Sequence, residues 1–102
     1  MQQLEYALAV KRIVRFEGEG SLKAYCDLMI GALFLIKGLR VVEGKNGLFV
    51  SMPRQQGKDA KWYDSVVALT KEAKTAVGRV VLEAYQQEEA SRSESVVDTA
   101  SD

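Results

Sequence analysis

Hydrophobic and polar positions alternate with a period of two over most of the first half of the chain. This spacing is typical of strands with one buried face. It predicts a first strand over residues 5–16 and a second over residues 22–30, joined by a short Gly-containing turn. The buried parity predicted for the first strand, interrupted by Arg12, is Tyr6, Leu8, Val10, Val14 and Phe16.

A third strand is predicted over residues 33–42. Its odd-numbered and even-numbered positions are both apolar, except at Lys37, Gly38 and Arg40. A strand that is apolar on both faces is usually central or covered on both sides. The dipeptide Asn46-Gly47 predicts a type I′ hairpin, because that turn requires positive φ at both central residues. A fourth strand follows over residues 48–52. The four strands together predict an antiparallel meander.

Residues 53–61 lack apolar periodicity and predict an exposed loop, whereas residues 62–69 return to β-type residues and predict a short fifth strand. Trp62 and Tyr63 open that segment. A β-type segment beside a helix favours packing of both rings in the core, and the alternative is that they stack on exposed bases.

Residues 71–87 have a helical period with apolar positions along one arc, and Thr70 is the expected N-cap. The arc consists of Ala73, Ala76, Val77, Val80, Val81 and Ala84. The predicted fold class is therefore α+β: an antiparallel β-meander of four to five strands packed on one C-terminal α-helix.

Charge divides the chain into a basic body and an acidic tail. Residues 1–86 carry thirteen Lys or Arg and nine Asp or Glu, a net charge of +4, whereas residues 87–102 carry a net −4. We therefore expect one domain over residues 1–87 and a disordered acidic tail over residues 88–102. A body of this charge is compatible with a polyanionic partner.

The residue types exclude the commonest catalytic chemistries. The chain has no histidine and one cysteine, which removes the usual general base, a Cys–His nucleophile and the usual zinc ligands. We expect no enzymatic activity, no metal, no cofactor and no small-molecule substrate. Cys26 lies on the apolar parity of the second strand and is expected in the core. The single cysteine cannot form an intramolecular disulfide, which favours a cytoplasmic location. We see no apolar membrane segment or secretory signal and expect no membrane contact.

The densest run of basic residues follows Pro53 and continues onto the helix. Cations and amides on a loop can contact phosphates and base edges, and ordinary solvated surface is the alternative. The candidate nucleic-acid-binding residues are Arg54, Gln55, Gln56, Lys58, Lys61, Lys71, Lys74 and Arg79. The alternative contact surface is the first strand, with Lys11, Arg12 and Arg15.

Three segments of the chain resemble the stage V sporulation protein G (SpoVG, septation regulator) family of small bacterial proteins. The central segment is Gly44-Lys45-Asn46-Gly47-Leu48-Phe49-Val50-Ser51-Met52-Pro53, and Leu39-Arg40-Val41-Val42-Glu43-Gly44 leading into it is also similar to the family. Val10-Lys11-Arg12-Ile13 before it and Val81-Leu82-Glu83-Ala84-Tyr85 after it are similar to the family's first strand and helix end. Asp64 stands where the family has an aspartate after its loop.

The resemblance implies a homodimer that binds DNA and RNA and regulates genes linked to septation or sporulation. It leaves an alternative open, because Arg54-Gln55-Gln56 follows Met52-Pro53 where the family has Ser-Lys-Arg. The alternative is a β-sheet protein-interaction module that keeps the fold without strong nucleic-acid binding.

Overall fold

The computed structural model describes the backbone of residues 7–101 and the side chains of residues 7–90. Its elements are β1 (Leu8–Arg15), β2 (Leu22–Ile30), β3 (Phe34–Gly44), β4 (Gly47–Ser51), β5 (Arg54–Gln56), β6 (Trp62–Asp64) and α1 (Lys71–Ser101). The first four strands form an antiparallel sheet in the order β1-β2-β3-β4, and β5 and β6 form a separate two-stranded ribbon. The predicted α+β meander on one C-terminal helix is confirmed.

Helix α1 covers one face of the four-stranded sheet. It begins at Lys71, and Thr70 is its N-cap as predicted, because its hydroxyl oxygen accepts a hydrogen bond of 3.0 Å from the Ala73 amide. The buried core consists of Leu8, Ala24, Cys26, Leu28, Leu39, Val41, Ala76, Val77, Val81 and Tyr85. Cys26 is 1% exposed, so its predicted place in the core is confirmed. Among the described residues, the helix lies on one face of the sheet and no element covers the opposite face, which is the open face.

Two β-bulges decide which side chains face the helix. On β3, Lys37 and Gly38 together stand opposite Asp27, between the pairs Cys26↔Leu39 and Leu28↔Ile36. Strict alternation would place Ile36 and Leu39, three residues apart, on opposite faces. The extra residue turns both toward the core, and the positive φ of Gly38 (90°) suits this conformation. Arg40 consequently points to the open face.

A second bulge overturns part of the pattern predicted for β1. The register shifts between Val10 and Arg12, so Leu8 and Val10 face the core together with Ile13. The predicted buried parity included Val14 and Phe16, and both are exposed to 38%. A shift of one residue moves every later side chain to the other face. Tyr6 lies outside the described residues.

The hairpin between β3 and β4 is present, but its turn differs from the predicted type. Gly44 pairs with Gly47, so Lys45 and Asn46 are the central residues. Neither has positive φ, whereas Gly47 has φ 113°. The type I′ prediction is therefore wrong, and the positive φ that it assigned to the turn is found at the first residue of β4, where glycine tolerates it.

Helix α1 extends beyond the predicted end at residue 87. Its backbone continues to Ser101, through a run of Gln, Glu and Ala that favours helix. The predicted disordered tail over residues 88–102 falls mostly on residues whose side chains lie outside the described part of the chain, so the disorder stays a prediction.

Candidate nucleic-acid interface

The segment after Pro53 forms a short ordered ribbon. Strands β5 and β6 pair in the register Arg54↔Asp64, Gln55↔Tyr63 and Gln56↔Trp62. The prediction of a loop over residues 53–61 is therefore wrong at β5, because pairing with β6 satisfies its backbone groups. The predicted exposure is correct, since all three residues of β5 are exposed. The predicted fifth strand, residues 62–69, ends at Asp64.

The base of the ribbon is fixed at the end of β4. The Ser65 amide donates a 2.8 Å hydrogen bond to the Pro53 carbonyl oxygen, and the Ser65 hydroxyl donates one of 3.1 Å to the same atom. Met52, just before the ribbon, packs against the core. Because Ser51 pairs with Arg40 across β3 and β4, this anchoring places the start of the ribbon beside Arg40.

The tip of the ribbon is organised by Asp59. Its carboxylate accepts a hydrogen bond from the Tyr63 hydroxyl and one of 3.1 Å from the Lys61 amide. The hydrogen bond from Tyr63, followed by that from Lys61, lowers the pKa of Asp59 below its ordinary value of 3.8. The same bond raises the pKa of Tyr63 above 10.0. Ala60 takes a left-handed φ of 66°, which closes the turn between Gly57 and Lys61.

Trp62 and Tyr63 lie on the surface, so the favoured prediction that they pack in the core is wrong. Trp62 is 57% exposed and Tyr63 is 51% exposed. The ribbon pairs with no strand of the main sheet, and its strands are too short to carry a second layer over these rings. Adjacent residues on a strand point to opposite sides, so the two rings lie on opposite faces of the ribbon.

A groove of about 500 Å³ runs between the open face of the sheet and the ribbon. Its lining residues are Tyr25, Lys37, Gly38, Arg40, Pro53, Arg54 and Trp62. They include three basic residues, two aromatic residues and no acidic residue. The Tyr25 ring is held by an edge-to-face contact with Phe16, with 5.1 Å between centroids, while Tyr25 remains 42% exposed. The groove thus combines cations with accessible aromatic rings.

The three cations of the groove differ in their partners. Arg54 Nε lies 3.2 Å from Asp64 Oδ1, and another guanidinium nitrogen donates to the Trp62 carbonyl oxygen at 3.2 Å. Within residues 7–90, neither Lys37 nor Arg40 forms an ion pair with a carboxylate. Asp27, the nearest acidic residue in register, accepts a 3.4 Å hydrogen bond from the Gly38 amide. Lys37 and Arg40 therefore offer charge that no described carboxylate neutralises.

The sequence-predicted site residues are divided among different surfaces. Arg54 lines the groove. Gln55, Gln56, Lys58 and Lys61 are exposed on the ribbon, where the Gln56 amide donates to the Ala60 carbonyl oxygen at 3.1 Å. Lys74 lines a second cavity, of about 350 Å³, between β4 and α1. Lys71 and Arg79 are exposed on the helix. The helix residues are not part of the groove.

The alternative surface on the first strand is largely occupied by the helix. Arg15 pairs with Glu89, and its guanidinium carbon lies 5.7 Å from the centre of the Tyr85 ring. Lys11 and Arg12 line a cleft with Glu88. Two acidic residues of α1, Glu88 and Glu89, therefore lie beside this basic strand, which makes it a poorer site for a polyanion than the groove.

Sequence reasoning did not select Tyr25, Lys37 or Arg40 for the site. A signal was present for two of them, because Tyr25 alternates with the apolar Ala24 and Cys26, and Arg40 lies between Leu39 and Val41. Both therefore point away from the core. Nothing in the sequence indicated that the segment after Pro53 would fold back beside Arg40.

Two other kinds of site are not found in the part of the chain that the structure describes. No group of three or more His, Cys, Asp or Glu side chains there could hold a metal ion. No helix there is long and apolar enough to cross a membrane.

Comparison with known proteins gives one consistent result. The SpoVG family model matches residues 8–87. The chain is 42% identical over 78 residues to a septation protein SpoVG of Archaeoglobus fulgidus, covering 76% of this chain and 92% of that protein. It is 34% identical over 79 residues to a septation protein SpoVG of Bdellovibrio bacteriovorus, covering 78% of this chain and 73% of that one. A chain with this fold, this central segment and these relatives belongs to the SpoVG family.

Proposed function

We propose that this protein is a nucleic-acid-binding regulator, and that the groove between the open sheet face and the β5–β6 ribbon is its contact surface. The observation that carries the proposal is the convergence of Lys37, Arg40 and Arg54 with the exposed rings of Tyr25 and Trp62. Lys and Arg neutralise phosphates, which supplies most of the affinity of such proteins. The function is binding and involves no catalytic step.

The family membership supports the biological side of the proposal. The relatives are named septation proteins, and we propose a role in septation, exerted in the cytoplasm through control of gene expression by binding DNA or RNA. The departure from the family at Arg54-Gln55-Gln56 is compatible with binding, because Lys37 and Arg40 supply cations from the neighbouring strand.

We also propose that the protein acts as a homodimer. At the end of the β2–β3 turn and the start of β3, the exposed fractions of Leu33, Phe34 and Leu35 are 82%, 69% and 45%. A contiguous exposed apolar segment of this kind marks an interaction surface in a small domain. Light scattering at micromolar concentration should give about twice the monomer mass of 11.3 kDa, and a monomer would contradict the dimer.

The experiment for binding is a salt titration with a fluorescent random-sequence oligonucleotide. The wild-type protein should bind at about 50 mM salt, with log K falling linearly as log salt rises. The triple variant Arg54→Ala, Lys58→Ala, Lys61→Ala should fold normally, because all three side chains are exposed. Only Arg54 of the three lines the groove, so contact through the groove predicts a slope flattened by about 0.7–0.9. A slope flattened by about 2 would mean that Lys58 and Lys61 also contact phosphates. Absence of binding by the wild-type protein at low salt would overturn the proposal and favour the protein-interaction module.

A further inference from the structure

The groove contains two features that an interface to a duplex does not need. A protein that reads a duplex contacts phosphates and base edges, because the faces of paired bases are stacked on one another. Exposed aromatic rings in a basic groove are instead typical of proteins that bind unpaired strands, where each base has a free face. Trp62 and Tyr25 are rings of this kind, and both line the groove.

The structure keeps both rings exposed at defined positions. Trp62 lies on β6 opposite Gln56, and its carbonyl oxygen accepts a hydrogen bond from the Arg54 guanidinium. Tyr25 is fixed from the other side by Phe16, with 86° between the ring planes. A large aromatic ring that is 57% exposed, as Trp62 is, leaves most of its apolar surface in water. That arrangement is stabilised when a base covers the ring.

The same lining supplies three cations for the phosphates of a bound strand. Lys37 and Arg40 flank Gly38 on β3, and Arg54 stands on the ribbon across the groove. The volume of about 500 Å³ is within the range of roughly 300–1,000 Å³ that holds small molecules. The groove is therefore large enough for an unpaired nucleotide.

We propose that the groove binds single-stranded nucleic acid, with bases stacked on Trp62 and Tyr25 and phosphates beside Lys37, Arg40 and Arg54. This inference rests on the proposed function and makes it more specific, since it names the form of the nucleic acid. Both DNA and RNA strands have the required base faces and phosphates, so the test includes both.

Trp62 is the only tryptophan of the chain, so its fluorescence reports directly on the groove. The experiment measures binding of the full-length protein at about 50 mM salt to a mixed-sequence DNA strand, the same sequence in RNA, and the matching DNA duplex. Each is followed by anisotropy of a labelled oligonucleotide and by quenching of Trp62. We expect the single strands to bind at least about tenfold more tightly than the duplex, and to quench Trp62.

Three variants separate stacking from general charge attraction. Trp62→Ala should weaken single-strand binding by at least about fivefold, the lower limit for loss of one stacked base, and leave duplex binding unchanged. Trp62→Phe should retain most of the affinity, because a phenyl ring still stacks. Phe49→Ala removes an aromatic residue that is 49% exposed and does not line the groove, so it should bind as wild type does.

The results of these measurements separate a failure of the single-strand inference from a failure of the proposed nucleic-acid binding. Equal affinity for strand and duplex, with no quenching of Trp62 and no effect of Trp62→Ala, would overturn the single-strand inference and leave a salt-dependent nucleic-acid binder. Absence of binding to all three oligonucleotides would overturn both. The comparison of strand with duplex uses the wild-type protein, so it does not depend on the folding of any variant.

Discussion

Arg54 Nε lies 3.2 Å from Asp64 Oδ1, its direct partner across the β5–β6 ribbon. Both side chains are about half exposed, at 42% and 49%, so the ion pair adds little to stability. Its main effect is on the electrostatics of the groove, because the carboxylate neutralises one of the three lining cations. The ribbon therefore carries a built-in restraint on the affinity for a polyanion.

Replacing Asp64 by Asn should strengthen nucleic-acid binding, because it releases the charge of Arg54 while keeping the shape of the side chain. We expect a higher K at about 50 mM salt, because Arg54 then interacts with the phosphate beside it without competition from the Asp64 carboxylate. The matched control is Glu83→Gln, which removes one negative charge from an exposed position on α1. Weaker binding by Asp64→Asn, or an equal gain in the control, would contradict the prediction.

The hydrogen bond between Asp59 and Tyr63 should be detectable as a shifted titration. Tyr63→Phe removes the donor that contributes most to the lowered pKa of Asp59, so that pKa should rise toward 3.8. The stability that Asp59 gives the ribbon tip is present above its unfolded pKa and is lost as pH falls through its lower folded pKa. Carboxyl chemical shifts followed by NMR between about pH 2 and 6 measure the change.

Gly57→Ala is a second test of the hydrogen bond between Asp59 and Tyr63. A Cβ at position 57 would lie 2.9 Å from Tyr63 Cε2 and 3.0 Å from Asp59 Oδ1. Gly57→Ala should therefore displace the Tyr63 ring and raise the pKa of Asp59 as Tyr63→Phe does. An Asp59 titration identical to wild type in both variants would show that the bond does not hold the tip in solution.

The acidic segment over residues 87–102 should compete with nucleic acid for the basic body. Glu88 and Glu89 already lie beside basic residues of β1. A chain ending at Gln87 should bind several-fold more tightly at about 10 mM salt, where the Debye length is about 30 Å, and the gain should shrink at about 1 M. A chain ending at Ala90 keeps Glu88 and Glu89. If it binds as tightly as the chain ending at Gln87, the competing charge lies after residue 90. If it binds like the full-length chain, Glu88 and Glu89 supply the competition. Unchanged affinity of both at low salt would refute the prediction.

The sequence predicted the meander, the helix with its Thr70 cap, and the buried place of Cys26, because period and capping are local signals. It failed at the bulge of β1, where one extra residue moves Val14 and Phe16 outward. It made no prediction of the β3 bulge, which brings Ile36 and Leu39 to one face. The position of a bulge depends on how the side chains of the whole sheet pack, so the hydrophobic pattern of one strand does not reveal it. The turn type failed for a similar reason, since Asn46-Gly47 fits more than one hairpin geometry.

The candidate site was predicted less completely than the fold. Arg54 was identified, but its neighbours Lys37, Arg40 and Tyr25 come from strands that are distant in sequence. Grouping basic residues by proximity along the chain joined Arg54 to Lys71 and Lys74, whereas the fold places Lys74 in a different cavity. Trp62 is exposed because the ribbon is separate from the main sheet. That separation is a property of the tertiary fold and could not be predicted from the local sequence.

The central claim is that the groove, and not the helix, contacts nucleic acid. The most direct test compares two double variants with the same change of charge: Lys37→Gln, Arg40→Gln in the groove and Lys71→Gln, Lys74→Gln on the helix. Salt titrations with a single-stranded oligonucleotide should show the slope of log K flattened by about 1.4–1.8 for the groove variant, with a much smaller change for the helix variant. Equal effects of the two variants, or a larger effect of the helix variant, would contradict the account.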